Sequence, residues 1–267
     1  MLYFLYPKKE LNMGKFDGIL ILSDWDGTLC YQRQVHPRVI KAIEYFRENG
    51  GYFTVASGRG SEYIKSCEHI FKPDDIVISN NGSVIRSIET GEAIRALKIC
   101  KESIELVDRL MNSGLFSEVT FKSEGKTTQV FREQYNDYRA ENKEPADYGY
   151  MLTANTEDDL SRALELLDEI PHSEMKIMKS WARGIEVVHK HAGKGEAALA
   201  LKKHLNARKL ITVGDYDNDV DMLRVADISF AMGNGTDTAK ECATHIIGCV
   251  TEGGVADIIE YLENEAE

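Results

Sequence analysis

The first apolar segment of the chain, Gly18-Ile19-Leu20-Ile21-Leu22, is unbroken, the pattern of a strand buried on both faces. It runs directly into Ser23-Asp24-Trp25-Asp26-Gly27-Thr28-Leu29. Between His36 and Asn49 apolar residues fall at Val39, Ile40, Ile43 and Phe46, a helical spacing that Gly50-Gly51 closes. Tyr52 to Ala56 predicts a second buried strand leading into Ser57-Gly58-Arg59-Gly60. Ser61 to Ile70 predicts a helix, and Asp75 to Ser79 a third strand ending at Asn80-Asn81-Gly82. This alternation predicts a parallel sheet with crossover helices. Ligands of such sheets bind beyond the carboxyl ends of the strands. Asp24, Asp26, Ser57 and Asn81 are therefore expected on one rim.

The pattern changes near Val84. From there to about Ile185 it predicts two short strands, a helix near Lys101 to Met111, and strands near Val119 and Val130. A polar, Tyr-rich passage from Gln134 to Tyr150 carries no element. A helix from Glu157 to Ile170 and strands near Lys176 and Ile185 complete the segment. The mixture predicts a separate α+β domain with an antiparallel sheet. Beyond it, Gly193-Lys194-Gly195 opens a helix through Leu205, and Lys209 to Val213 is a buried strand ending at Gly214-Asp215-Tyr216-Asp217-Asn218-Asp219. Strands near Ile228 and His245 and a helix from Gly254 to Leu262 follow. The expected organisation is an N-terminal extension (1–12), an α/β core with a Rossmann-like parallel sheet (13–84 and 186–267), and an inserted α+β domain (85–185).

Composition narrows the function. With 267 residues, 43% of them hydrophobic and 28% charged, the chain can bury a substantial core. A net charge of −12 argues against a sequence-independent nucleic-acid partner, which needs clustered Lys and Arg. It leaves an anionic substrate open where metal ions and a few placed cations set the local field. The five cysteines, without CxxC spacing, fit free thiols in a reducing compartment better than disulfides or a zinc site. Met1 to Asn12 is too short to span a bilayer and lacks the regions of a signal peptide. A cytoplasmic protein without a membrane partner is the expectation, with Met13 a candidate start.

Two carboxylates one residue apart at a strand end are costly to bury without a compensating charge. Asp24 and Asp26 thus point to a divalent cation with oxygen ligands, such as magnesium, against the alternative of a surface turn at Asp26-Gly27. Ser57-Gly58 also reads as a turn, Lys194 as a solvated residue, and Asp217 or Asp219 as a helix N-cap. Together, however, these positions supply a nucleophile, a second acid/base, a hydroxyl, a cation and a third metal ligand. That is the equipment of phosphoryl transfer.

The ordered series Asp24-x-Asp26-Gly27-Thr28, Ser57-Gly58-Arg59, Lys194 and Gly214-Asp215-x-x-Asn218-Asp219 resembles the haloacid dehalogenase superfamily of phosphatases. The insert, with Asn81-Gly82 before it and Ala231-Met232-Gly233-Asn234 near the end, is similar to the Cof-type, class IIB branch, in which it forms a cap domain. Trp25 and Ser57 depart from that pattern, where a smaller aliphatic residue and Thr are common. The resemblance implies that Asp24 attacks phosphorus to give an aspartyl phosphate and that Asp26 serves as acid and then base. It implies magnesium held by Asp24, the Asp26 carbonyl and Asp215, with Asp219 behind them. Ser57, Lys194, Asn218 and the amides near Trp25 and Gly58 would hold phosphoryl oxygens. The implied substrate is a small phosphorylated metabolite, with sugar phosphates favoured; a phosphomutase or phosphotransferase and a non-enzymatic phospho-aspartate switch are the alternatives. Asn81 and Arg183 are expected substrate contacts, against a core Trp181 and a solvated Arg183.

Overall fold

The computed structural model describes residues 14–265, so the expected N-terminal extension and the Met13 start lie outside the described residues. The chain begins β1 (Ile19–Ser23), α1 (Pro37–Glu48), β2 (Tyr52–Val55), α2 (Ser61–Ser66), β3 (Ile76–Ser79), β4 (Val84–Ser87) and β5 (Ala93–Ala96). It continues with α3 (Ser103–Asn112), β6 (Phe116–Ser123), β7 (Lys126–Phe131), α4 (Arg132–Glu141), β8 (Gly149–Ala154), α5 (Glu157–Asp168), β9 (Met175–Trp181) and β10 (Gly184–His189). The last part is α6 (Lys194–His204), β11 (Lys209–Gly214), α7 (Val220–Val225), β12 (Ile228–Met232), α8 (Asp237–Cys242), β13 (His245–Ile247) and α9 (Ala256–Glu265).

The expected α/β architecture is present. A parallel five-stranded sheet has the order β13-β12-β11-β1-β2. Alternation along its strands splits the side chains between two layers. Ile19, Ile21, Phe53, Val55 and Val213 pack with α1 and α9 through Val39, Ile43, Phe46, Ile258 and Leu262. Leu20, Leu22 and Leu210 face the other way, onto Ala197, Ala198 and Leu201 of α6 and Met222 of α7. Because Ser23 stands beside both Val213 and Val55, the strand ends preceding Asp24, Ser57 and Asp215 reach the same level. The pleat thus delivers distant motifs to one edge.

Two expectations are corrected. The third strand is not a ladder partner in the parallel sheet: β3 joins an antiparallel sheet, β3-β4-β5, and meets β2 through a parallel bridge between Ala56 and Ile78 and through Thr54 and Tyr52 hydroxyl bonds to the Ile76 backbone. In the turn after β3, Asn80 (φ 50), Asn81 (φ 49) and Gly82 (φ 87) all lie in the left-handed region and send β4 back antiparallel. Secondly, the Tyr-rich passage holds α4 and leads into β8, a middle strand of the second five-stranded sheet, β7-β6-β8-β10-β9. Helix α4 buries only Tyr135, so it shows no apolar stripe, and Gly149-Tyr-Met-Leu-Thr-Ala154 has few residues of strand-favouring type. The junctions expected near 84/85 and 185/186 lie within β4 and β10. β4 and β5 pair with β3, whereas β10 pairs wholly with β8 and β9, so the sheets change hands after 96 and after 189.

The second sheet has one apolar face. Val119, Phe121, Val130, Leu152, Ile185 and Val187 pack against α3 and α5 through Leu106, Leu110, Leu160 and Leu167. Its other face turns to the carboxyl edge of the parallel sheet.

Gly82 joins the two halves of the parallel-sheet unit. At φ +87, a Cβ on it would lie 2.1 Å from the Gly193 carbonyl, immediately before Lys194. Gly82→Ala combines a disfavoured φ with a backbone clash and is expected to lower stability by more than ~1 kcal/mol, measured by denaturant unfolding. A variant as stable as the wild type would show that the two loops separate at little cost.

Candidate active site

At the carboxyl edge, the Lys194 ammonium sits between two carboxylates. It donates to Asp24 Oδ1 and, at 2.6 Å, to Asp219 Oδ1, with its side chain wholly buried. Burial alone would strip this amine of its proton, but Asp219 and Asp24 hold it charged and above the ordinary lysine value. Burial pushes the Asp24 carboxyl well up, opposed by Lys194 and reinforced by Asp219 and Asp215. Asp24 is itself anchored through its backbone, whose N–H donates to the Val213 carbonyl at 2.9 Å.

Both oxygens of Asp219 are engaged. Its Oδ2 accepts the backbone N–H groups of Asp215 (3.0 Å) and Tyr216 (3.1 Å), while Oδ1 holds Lys194. Asp215 accepts the Thr28 hydroxyl at 2.6 Å. Gly27, between the acidic pair and Thr28, allows that approach, since a Cβ there would lie 2.6 Å from Asp215 Oδ2. Burial, then the Asp219 charge, raise the Asp215 carboxyl to about 6 from 3.8. One oxygen each of Asp24, Asp215 and Asp219 lies within 4.8 Å of the others. Three carboxylates against one ammonium leave a negative excess, and hard oxygen donors of this kind fit a small divalent cation.

Asp26 points the other way. It is more than half exposed and is clasped by both arms of Arg59, Nε to Oδ2 at 2.9 Å and Nη2 to Oδ1 at 3.2 Å. Such a two-pronged pair fixes the carboxylate plane. Arg59 also lies over the Tyr63 ring, 4.8 Å from its centroid. Asn234 braces the turn from behind, giving its amide to the Gly27 carbonyl at 2.9 Å and accepting the Val250 N–H at 2.8 Å.

The remaining expected residues divide. Asn218 donates to Asn81 Oδ1 at 3.1 Å, joining the β11 and β3 loops, and the buried Asn81 amide nitrogen has no partner. Ser57 is fully buried and its Oγ accepts the Arg59 N–H at 3.1 Å, leaving the hydroxyl proton free to donate. The Trp25 side chain belongs to the hydrophobic core, so only its backbone is available at the rim. Arg183 is not brought to the site. It donates to the Asn155 carbonyl at 2.8 Å and lies over the Trp181 ring, and Trp181 rather than Arg183 lines the cavity.

That cavity, of about 800 Å³, lies between the parallel-sheet edge and the polar face of the second sheet. Asp24, Asp26, Gly58, Arg59, Asp215 and Asn218 form its floor. Its roof holds residues that sequence reasoning missed. Lys122 and Glu186 form a buried ion pair at 2.6 Å, and the same ammonium donates to the Gly58 carbonyl at 2.8 Å. Glu118 and Thr120 share the face with Lys122. The signal was the period-two alternation of Phe116-Ser-Glu-Val-Thr-Phe-Lys-Ser123, which puts Glu118, Thr120 and Lys122 on one side and Val119 and Phe121 on the other.

A family model for haloacid dehalogenase-like hydrolases matches residues 21–259. A 5-amino-6-(5-phospho-D-ribitylamino)uracil phosphatase of Bacillus subtilis is 27% identical, over 91% of this chain and 94% of its own. A phosphoglycolate phosphatase of Methanosarcina acetivorans is 23% identical, over 94% and 98%. Among solved structures, a haloacid dehalogenase-like hydrolase of B. subtilis superposes with a TM-score of 0.78 at 24% identity, over 91% of this chain and 99% of that one. A subclass IIB sugar phosphatase superposes at 0.73 with 19% identity, over 91% and 98%.

The raised carboxyls give the metal-free protein a pH signature. Asp215 takes up a proton near pH 6 when folded, against 3.8 for the free group. Stability from that uptake is complete below the unfolded value and is lost as pH rises through the folded one. Asp24 acts in the same sense. In chelator, the melting temperature should fall between about pH 5 and about pH 7, and Asp215→Asn should flatten the slope. A wild-type slope of the opposite sign would contradict these charge assignments.

Proposed function

Since the chain belongs to the haloacid dehalogenase-like hydrolases, we propose that it is a magnesium-dependent phosphatase of small phosphorylated metabolites, working through an aspartyl phosphate on Asp24. The observation that carries this reading is the convergence of buried Lys194 and Asp219 on Asp24 and Asp215 at the floor of one cavity, with Asp26 beside them. The phosphatase names of the relatives support it, and the ribityl phosphate in one of them supports a polyhydroxylated substrate.

Asp24 Oδ attacks phosphorus, and the bond to the leaving oxygen breaks. The Lys194 ammonium opposes the rise that burial imposes on the Asp24 carboxyl and aims it at the cavity. Asp26 gives its proton to the departing oxygen, then takes one from the water that attacks the aspartyl phosphate and frees Asp24. Arg59 orients Asp26 until the leaving group claims one of its oxygens. Ser57, with its proton unspent, and Asn218 hold phosphoryl oxygens, helped by backbone N–H groups near Trp25 and Gly58. Asp24, Asp215 and the Asp26 carbonyl would hold magnesium, whereas Asp219 is committed to Lys194 and two amides and acts from behind. When bound, the ion supplies positive charge to the phosphoryl oxygens.

Asp24→Asn is expected to abolish phosphate release from p-nitrophenyl phosphate while leaving the melting curve unaltered in shape. Asp26→Asn should slow turnover by ~10²–10⁴-fold, the usual worth of a general acid/base. Near-normal turnover in Asp24→Asn would sink the covalent route. Chelation should stop activity and magnesium restore it, with calcium a poor substitute because it prefers longer bonds and more ligands. Full turnover in excess chelator would remove the metal from the reading.

A further inference from the structure

The cavity roof carries a charge that nothing balances. Its lining holds two cationic side chains among the described residues, Arg59 and Lys122. Both are spent, Arg59 on Asp26 at 2.9 and 3.2 Å, and Lys122 on Glu186 at 2.6 Å and the Gly58 carbonyl at 2.8 Å. Glu118, half-buried on β6, accepts the Thr153 hydroxyl at 3.1 Å and the Gln129 amide at 2.5 Å, but no cation pairs with it among the described residues. A carboxylate has about four acceptor sites, so two neutral donors leave capacity for more.

We propose that Glu118 selects the leaving group: it accepts hydroxyl or ammonium hydrogens from the part of the substrate beyond the phosphate and repels a second anion there. The substrate class is a phosphomonoester of a neutral polyol or amino sugar, not a bisphosphate or a phosphorylated acid. This rests on the phosphatase reading and deepens it. The physical reason is that a charge in a cavity walled by protein is screened far less than one in water. The roof offers a second phosphate or a carboxylate no free cation, and Glu118 makes its approach unfavourable. A neutral sugar meets donors and acceptors in Glu118, Gln129 and Thr153, and an ammonium gains an ion pair.

The test compares sugar phosphates that keep one ring and change its charge. Values of kcat/KM with magnesium are measured for glucosamine 6-phosphate, glucose 6-phosphate and glucose 1,6-bisphosphate, with p-nitrophenyl phosphate as a leaving group lacking the sugar. Wild type should favour the amine and neutral sugars over the bisphosphate by about tenfold or more, the scale of one unbalanced charge in a partly screened cavity. In Glu118→Gln, which keeps the shape, the ratio of neutral sugar to bisphosphate should fall about tenfold, and Glu118→Lys should invert it. Raising the salt concentration should narrow the wild-type ratio. Equal or better use of the bisphosphate by wild type, or an unaltered ratio in Glu118→Gln, overturns the assignment. Hydrolysis of the aryl phosphate without any charge ranking among the sugars removes this proposal alone. Failure on the aryl phosphate and on every sugar phosphate removes the phosphatase reading, and this proposal with it.

Discussion

The buried Lys194 ammonium is the constraint on which the rest depends. An unpaired lysine so deep would shed its proton or unfold its surroundings, and it stays charged because Asp24 and Asp219 both pair with it. Those three residues come from α6, the end of β1 and the loop after β11, and Lys194 and Asp24 are 170 positions apart in the chain. One ammonium therefore ties three crossings of the fold to a single point. The arrangement also explains the shape of the acid cluster. Both oxygens of Asp219 are engaged by Lys194 and two amides, which leaves Asp24 and Asp215 as the members of this cluster that face the cavity.

The parallel-sheet unit was legible because its chemistry and its burial coincide. Each strand is a continuous apolar run, and each polar motif begins where a run stops, so locating the strand ends located Asp24, Ser57 and Asp215. At β3 the same logic located Asn81 but not the pairing of the strand. Its run is equally apolar, but its partner is decided by three successive left-handed residues after it, and two of those are asparagines rather than glycines. In the second sheet, apolar content alone did not locate β8. Only alternate residues there face the core, and Met151 on the cavity side blurs the contrast with Leu152.

Arg183, expected to contact substrate from its place just before the second connection of the insert, has its guanidinium on the Asn155 carbonyl and over the Trp181 face. A long side chain is directed by the nearest acceptors, and sequence separation does not reveal them. Lys122 and Glu186, 64 positions apart, were hidden for the converse reason: each looks like a solvated charge until the strands that carry them share a sheet.

The Lys122 ammonium has one more partner, the carbonyl of Gly58 in the loop that follows β2. A backbone oxygen satisfied from the opposite wall of a cavity is a dependency between two structural units. The inserted sheet is therefore not an interchangeable attachment. Grafting another insert onto this parallel-sheet unit would leave the Gly58 carbonyl without its donor, in the very loop that carries Ser57 and Arg59. Diversification of the insert in this lineage would then have to proceed around position 122, keeping a donor there while neighbouring positions on the same strand vary.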